Sequence, residues 1–390
     1  MVDPLGTGDP TEVSGYTLRG RLGEGGMGSV YLSHTRGGQP VALKVIRREF
    51  AQSPEFLRRF TREVEAARRV QGAYTAAVVD SSTDGPMPWL ASAYVPGPSL
   101  ARAVDEHGQL PLRTVLLLIA GVAEALQSVH AAGVVHRDLK PSNVLLAADG
   151  PRVIDFGIAR AVDATALTGT DVRLGTPAFM SPEQASGDPA GPPLDVFALG
   201  LIAFFAATGK HPFGEGDAQA LLYRIVSQEP DVTACPERLR SLVRHCLAKD
   251  PEKRPGLEEV IEECHRVAAA EGTALTRGEG WWLPSRVADE VVRRESNPLV
   301  PAGAGQSYEP TVLDGQHRAV SAARTEWAGS GPSPSSAPLS GLEAFRHHWG
   351  RALGVLRSGR HRRLKTAGAV LLVLLVIASG VLAALEDMAT

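Results

Sequence analysis

The 390-residue chain predicts an α+β fold with one long apolar span close to its end, and three observations predict it. A glycine-rich hairpin runs into an apolar strand that carries a lysine. A second, shorter hairpin stands between two polar strings rich in Asp and Asn. A charge-free run of about 20 residues, Thr366 to Leu385, is as long as a helix that crosses a bilayer.

The first hairpin reads from Tyr16-Thr17-Leu18-Arg19-Gly20-Arg21-Leu22 through the pattern Gly23, Gly25, Gly28, Val30 into the β-prone run Ser29-Val30-Tyr31-Leu32-Ser33. A strand after the glycines, where dinucleotide-binding folds place a helix, makes this a flap with little side-chain bulk, suited to lie over phosphates. Lys44 follows in Val41-Ala42-Leu43-Lys44-Val45-Ile46. A lysine in such a run needs an anionic partner, because a buried unpaired ammonium is costly. Phe56, Phe60, Val64 and Ala67 then set an apolar helical stripe that Glu63 borders, while Glu65, about 200° away, points more outward.

The second hairpin is Val144-Leu145-Leu146, Asp149-Gly150, Val153-Ile154. It brings His136-Arg137-Asp138-Leu139-Lys140-Pro141-Ser142-Asn143 and Asp155-Phe156-Gly157 to one end. Asp138 is a candidate proton acceptor, and Asn143 and Asp155 are candidate metal ligands. Two metal ligands and a base at one edge suit phosphoryl transfer, which needs charge neutralised and groups aligned more than covalent help.

Glycine loop, strand lysine, Asp138 string and Asp-Phe-Gly turn occur in the order found in protein kinases. Over about Tyr16 to Ala270 the chain resembles the Ser/Thr class, in the style of the bacterial (Hanks-type) kinases that resemble eukaryotic ones. That resemblance implies a two-lobed fold, a small β-rich N-lobe and a large helical C-lobe, with ATP and Mg²⁺ as cofactors. It implies ATP contacts at Leu22, Gly23, Gly25, Gly28, Val30, Lys44, Ala93 and Val95, an ion pair from Lys44 to Glu63, and Mg²⁺ at Asn143 and Asp155. Asp138 becomes the base for the substrate hydroxyl, Lys140 touches the transferring phosphate, and His136 packs beneath Phe156. Asp195 is implied to bond the catalytic-loop backbone and Glu183 to pair with Arg254. Ser92 falls at the gate of the pocket behind adenine. Gly175-Thr176-Pro177 with Lys140 favours Ser/Thr acceptors. Arg137, beside the base, is suited to pair with a phosphothreonine, and Thr168 and Thr170, ahead of Thr176, are the phosphorylation candidates, with Thr165 less favoured. Trans-autophosphorylation implies self-association, and protein substrates are the partners.

Beyond these motifs, a net charge of -3 carries no nucleic-acid signature. The three cysteines, Cys235, Cys246 and Cys264, are too few and too spaced for a disulfide framework and suit a reducing compartment. Residues 1–15 read as a flexible N-terminus without a signal peptide. Residues 271–294 read as a short helical extension with an apolar face of Val287, Ala288, Val291 and Val292. Its periodicity fits docking on the larger lobe and equally an independent partner-binding peptide. Residues 295–338, rich in Pro, Gly and Ser, form a disordered linker. Thr311, three residues before Asp314, is a weak cue there for phosphothreonine-reading domains. Residues 339–365 are basic and amphipathic, suited to anionic membrane lipids. Residues 366–385 span about 30 Å as a helix. The small-residue pairs Ser379/Ala383 and Gly380/Ala384 suit helix dimerisation. Basic residues before the span and Glu386-Asp387 after it place the kinase in the cytoplasm of a single-pass membrane protein, with 386–390 as a short extracytoplasmic tail and no sensor domain beyond. The rival readings are a pseudokinase scaffold and a membrane adaptor that phosphorylates only itself.

Overall fold

A five-stranded antiparallel sheet, ordered β3-β4-β5-β7-β6, forms the smaller lobe: β3 (Gly20–Gly25), β4 (Gly28–His34), β5 (Pro40–Ile46), β6 (Val78–Ser82) and β7 (Trp89–Ala93). The source is a computed structural model that describes residues 2–85, 87–156, 177–189, 191–275 and 282–296. All of these lie within one unit, Met1–Pro310. The β3–β4 hairpin closes at Gly25 opposite Gly28, and Val30 pairs with Lys44 across β4–β5. Alternation along β5 buries Val41, Leu43 and Val45 on one face, with Tyr31 and Trp89, and turns Ala42 and Lys44 to the other. Gly28 answers to packing inside the sheet, since a Cβ there would come 1.9 Å from the Val45 carbonyl oxygen. At Gly23, Gly25 and Gly26 a Cβ would meet open space, as a flap over a ligand requires.

Residues 2–15, read from the sequence as flexible, are packed onto this lobe. Asp3 and Arg21 exchange backbone hydrogen bonds of 2.8 and 2.7 Å. Asp9 accepts from the Gly6 N–H, the Arg21 guanidinium and the Tyr31 hydroxyl. The Arg21 guanidinium chiefly, with Tyr31 and Gly6, holds the Asp9 carboxyl below the usual range against the opposing effect of burial. A short ladder, β1 (Glu12–Val13) with β2 (Tyr16–Thr17), buries Val13. Gly20 permits the approach, because a Cβ there would lie 2.5 Å from the Val2 side chain. The apolar anchors, Val2 and Val13, are isolated and the other contacts are polar, so no hydrophobic period announces them.

Helix α1 (Arg48–Ala51) leads to α2 (Pro54–Arg68), which starts where the Ser53 hydroxyl accepts from the Phe56 N–H and Pro54 presets the first turn. Phe56, Phe60, Val64 and Ala67 are its buried face. The larger lobe is helical: α3 (Leu100–His107), α4 (Leu112–Ala131), α5 (Pro182–Ser186), α6 (Pro193–Thr208), α7 (Ala218–Ser227), α8 (Glu237–Cys246) and α9 (Leu257–Ala270), with the hairpin β8 (Val144–Ala147) and β9 (Gly150–Val153) laid against it. Helices α4 and α6 are buried nearly all round and form the centre of its core. Among the described residues α4 alone is long and apolar enough to cross a membrane; here it is that core.

A final helix, α10 (Ser285–Ser296), docks on the larger lobe, which resolves the two readings of the 271–294 extension. Trp282, Val287 and Val291 are buried. The Trp282 indole donates to the Ala147 carbonyl at 3.0 Å, and the Trp282 carbonyl accepts from the Thr114 hydroxyl at 2.7 Å. Gly157, Thr168, Thr170, Thr176, the linker with Thr311, the basic segment 339–365 and the apolar span 366–385 lie outside the described residues.

Candidate active site

Between the lobes lies a cleft of about 390 Å³, lined on the sheet side by Leu22, Val30, Ala42 and Lys44 and on the other by Leu145 and Ile154. Ser92, Ala93 and Val95 line the strip that joins the lobes, and Gly23 the flap. Gly25 and Gly28, at the hairpin tip, are not in the lining. Two residues beyond Val95 stands Gly97, where a Cβ would strike the Leu146 carbonyl oxygen at 2.1 Å, so the strip runs hard against β8.

Lys44 departs from expectation. The resemblance implies Glu63 as its ion-pair partner, yet Lys44 Nζ pairs with Asp155 Oδ2 at 3.1 Å. Glu63 is half-buried and Glu65 exposed, as the stripe on α2 requires. Asp155 comes within reach because its backbone turns left-handed, φ 59°, just after β9. Asp is among the residues that tolerate that region, and such strain gathers at functional turns.

On the catalytic loop, Asp138 Oδ2 accepts from Lys140 Nζ at 2.7 Å and from Asn143 Nδ2 at 3.2 Å, and the same amide donates to the Asp138 carbonyl at 2.8 Å. With its nitrogen turned to Asp138, Asn143 has Oδ1 left to meet a cation. Asn143 and Asp155 supply an amide oxygen and a carboxylate, the hard donor set that Mg²⁺ prefers, so the residues fit that ion. The Asn143 carbonyl accepts from the Ile154 N–H at 3.0 Å, which ties the two ligand-bearing segments together.

The loop itself is clamped from beneath. Asp195, fully buried on α6, accepts from the backbone N–H groups of His136 (2.9 Å) and Arg137 (3.0 Å), and lies 2.7 Å from His130 Nε2. Arg137 sits at φ 66°, and its carbonyl accepts from Gln184 Nε2 at 2.8 Å. His136 Nδ1 accepts from the Asp138 N–H and its Nε2 donates to the Ile154 carbonyl; its ring stands edge to face with Phe156 at 6.5 Å. Both ring nitrogens are thus engaged within the protein. Arg254 makes a two-armed bond to Glu183, 2.6 and 2.8 Å, and donates to the carbonyls of Ala248, Pro193 and Lys249. Burial works to raise the Glu183 pKa, but the Arg254 guanidinium prevails and holds it below its ordinary value.

Sequence reasoning missed three contributors. His130 shares Asp195, and its only signal was a histidine near the end of an apolar helix. Gln184 is the third helical residue after Ser181 in a reciprocal cap, a pattern readable from Ser-Pro-Glu-Gln. His211 Nε2 donates to the Ala178 carbonyl at 2.7 Å and steadies the segment after Thr176; burial lowers its pKa.

Comparison with known proteins agrees with this geometry. The family model for the protein kinase domain matches residues 16–265. The chain belongs to the protein kinase family, and its relatives are bacterial serine/threonine kinases. It is 46% identical over 319 residues to the serine/threonine-protein kinase AfsK of Streptomyces coelicolor, covering 80% of this chain and 40% of that one. It is 31% identical over 358 residues to the serine/threonine-protein kinase PknL of Mycobacterium tuberculosis, covering 83% and 90%. The crystal structure of the Mycobacterium tuberculosis PknI kinase domain superposes with a TM-score of 0.54 at 29% identity, covering 68% of this chain and 100% of that one. The chain thus spans about two-fifths of the length of AfsK.

Proposed function

We propose that this chain is a serine/threonine protein kinase that transfers the γ-phosphoryl group of ATP to protein hydroxyls. One observation carries the reading: Lys44 and Asp155 pair in a cleft of nucleotide size, and Asp138, Lys140 and Asn143 bond to one another on the loop that the Ile154 N–H to Asn143 carbonyl bond ties to it. Asp138 orients the acceptor hydroxyl and takes its proton as the new O–P bond forms and the bond to the β-phosphate breaks. Lys140, already bonded to Asp138, offers its ammonium to the oxygens of the group in flight. Lys44 positions the α/β-phosphates. Asn143 and Asp155 would hold Mg²⁺, which would supply charge neutralisation. The presence of all these groups disfavours a pseudokinase.

The reading extends to a kinase held at the inner face of a cell membrane by residues 366–385, with residues 339–365 on anionic lipid, activated in trans by phosphorylation of Thr168 and Thr170 through Arg137. Self-association of two copies follows from that step, and phosphothreonine-reading domains are the partners that Thr311 would recruit. The test is mass spectrometry of the chain through Ser296 after incubation with ATP and Mg²⁺, beside Asp138→Asn. Phosphate on Thr168 or Thr170 in the wild type alone is the expected result. No phosphate in either protein despite nucleotide binding would overturn the enzymatic reading. Undiminished activity of a Thr168→Ala, Thr170→Ala double variant would overturn the activation step.

A further inference from the structure

The rim of the nucleotide cleft is built partly by chain outside the matched residues 16–265. Asp3, from the N-terminal segment, and Arg294, from α10, both line it beside Ser99 and Arg102. With adenine along Ala93 to Val95 and phosphates at Lys44, the rim near Gly97 and Ser99 is where the ribose of a nucleotide must lie.

Arg294 is held there by a deliberate set of contacts. Glu290, one helical turn back and 7% exposed, accepts from Arg294 Nη2 at 2.5 Å and lies 3.2 Å from His107 Nε2 and 4.0 Å from Arg102 Nε. Burial works to raise the Glu290 pKa, yet His107, Arg294 and Arg102 together hold it below its ordinary value. Arg294 Nη1 donates to the Gly97 carbonyl at 3.4 Å. The guanidinium has five N–H donors, and these two bonds engage only part of that fork. The anchors of α10, Trp282, Val287 and Val291, fix where the fork stands.

We infer that Arg294 is a nucleotide-positioning residue: held against the Gly97 carbonyl, it donates to the ribose hydroxyls, so that α10 completes the cleft. This rests on the proposed use of ATP. It sets α10 apart from a helix that merely covers apolar surface, because the predicted effect is specific to the sugar.

The experiment uses the full chain with Arg294→Ala and Arg294→Lys. It measures calorimetric binding of ATP and of 2′,3′-dideoxy-ATP, steady-state kcat and KM for ATP with casein as acceptor, and Tm. Wild type is expected to bind ATP about tenfold more tightly than the dideoxy nucleotide, the scale of one bond to a charged donor. Arg294→Ala should lose about that factor for ATP alone, treat both nucleotides within about twofold and keep kcat within about twofold. Arg294→Lys, which keeps the charge but not the fork, should fall between. Equal losses for both nucleotides, or unchanged discrimination in Arg294→Ala, would overturn the inference. Should Arg294→Ala fail to fold, Arg294→Lys decides by the same ratio. A wild type that binds neither nucleotide would instead overturn the kinase reading, so the two failures are distinguishable.

Discussion

Asp195 is the group on which the catalytic loop hangs, and its replacement tests that claim quantitatively. Oδ2 accepts from the His136 N–H and lies against His130 Nε2; Oδ1 accepts from the Arg137 N–H. Asp195→Asn, with its remaining oxygen in the Oδ2 place, keeps two of these bonds and turns an amide N–H toward that of Arg137. One buried donor is then left facing another, at a cost of about 1–3 kcal/mol. Asp195→Ala strands all three donors and opens a small void, on the order of 3–5 kcal/mol. For a domain of this size each kcal/mol moves Tm by about 2–4 °C, so losses of roughly 5 °C for Asn and 10–15 °C for Ala are expected. Activity should fall more than stability suggests. Arg137 is held at φ 66° by these bonds, and Asp138 is its neighbour. A displacement of about 1 Å at the base costs on the order of 100-fold in rate. The assay is Tm by calorimetry together with kcat and KM for ATP, read well below each variant's Tm. kcat should drop in the order wild type, Asn, Ala, with KM for ATP changed little, because Lys44 and the strip that joins the lobes are untouched. An Asp195→Ala protein that is folded and retains wild-type kcat would refute the reasoning.

Arg254→Met leaves Glu183 buried without its two-armed partner and should cost about 3–5 kcal/mol, read as a fall in Tm that Glu183→Gln in the same chain partly restores. Because the Glu183 pKa is lowered in the folded state, its contribution is full above the ordinary value of 4.5 and is lost as pH falls through the lower folded value. Acid titration of Glu183→Gln should therefore show a shallower loss of stability below that pH than wild type. Ser92 lines the cleft with a small side chain, so wild type should be inhibited by bulky hinge-directed compounds at lower concentration than Ser92→Met, with KM for ATP similar in both. Burial pushes the Cys235 thiol up to about 11 and those of Cys246 and Cys264 up to about 12. Iodoacetamide at pH 8 should label none of the three in the native protein and all three in denaturant, counted by intact mass.

The residues proposed for catalysis stand out in the sequence because each is a polar residue set where hydrophobic patterning would not put one. Lys44 interrupts β5, and Asp138 and Asn143 precede an apolar strand. Such positions advertise chemistry in a linear string. The partner of Lys44 was not legible in the same way. Choosing Glu63 required a distance between a sheet and a helix, and the stripe on α2 gives only the side on which Glu63 lies. The left-handed turn at Asp155 instead brings that carboxylate to the lysine. The packed N-terminal segment was hidden for a different reason. Its contacts run through Asp9, Arg21 and Tyr31, and composition alone makes such a stretch look unstructured. The docking of α10 lay between: its apolar face was visible, but Trp282 finds its acceptor in Ala147, 135 residues away.

Asp195, Glu183 and Glu290 share a design that explains how irregular backbone can be so well placed in this fold. Each is a buried or nearly buried carboxylate that gathers donors from distant parts of the chain: α4 and the catalytic loop at Asp195, the loop before α9 at Glu183, and α3 with α10 at Glu290. A helix or a ladder satisfies its own backbone, but a catalytic loop cannot, and its N–H groups must be met from elsewhere. An ionised carboxylate offers several acceptor sites at once and forms shorter, stronger bonds than a neutral group. Its removal from water is costly, and that cost is offset only when every donor is in position. The arrangement is therefore close to all-or-none: a partly assembled clamp is worse than none, and a complete one holds Arg137 in a conformation that non-glycine residues avoid. On this account the position of Asp138 is decided by α6 beneath it, and α10 extends the same device to the rim of the cleft.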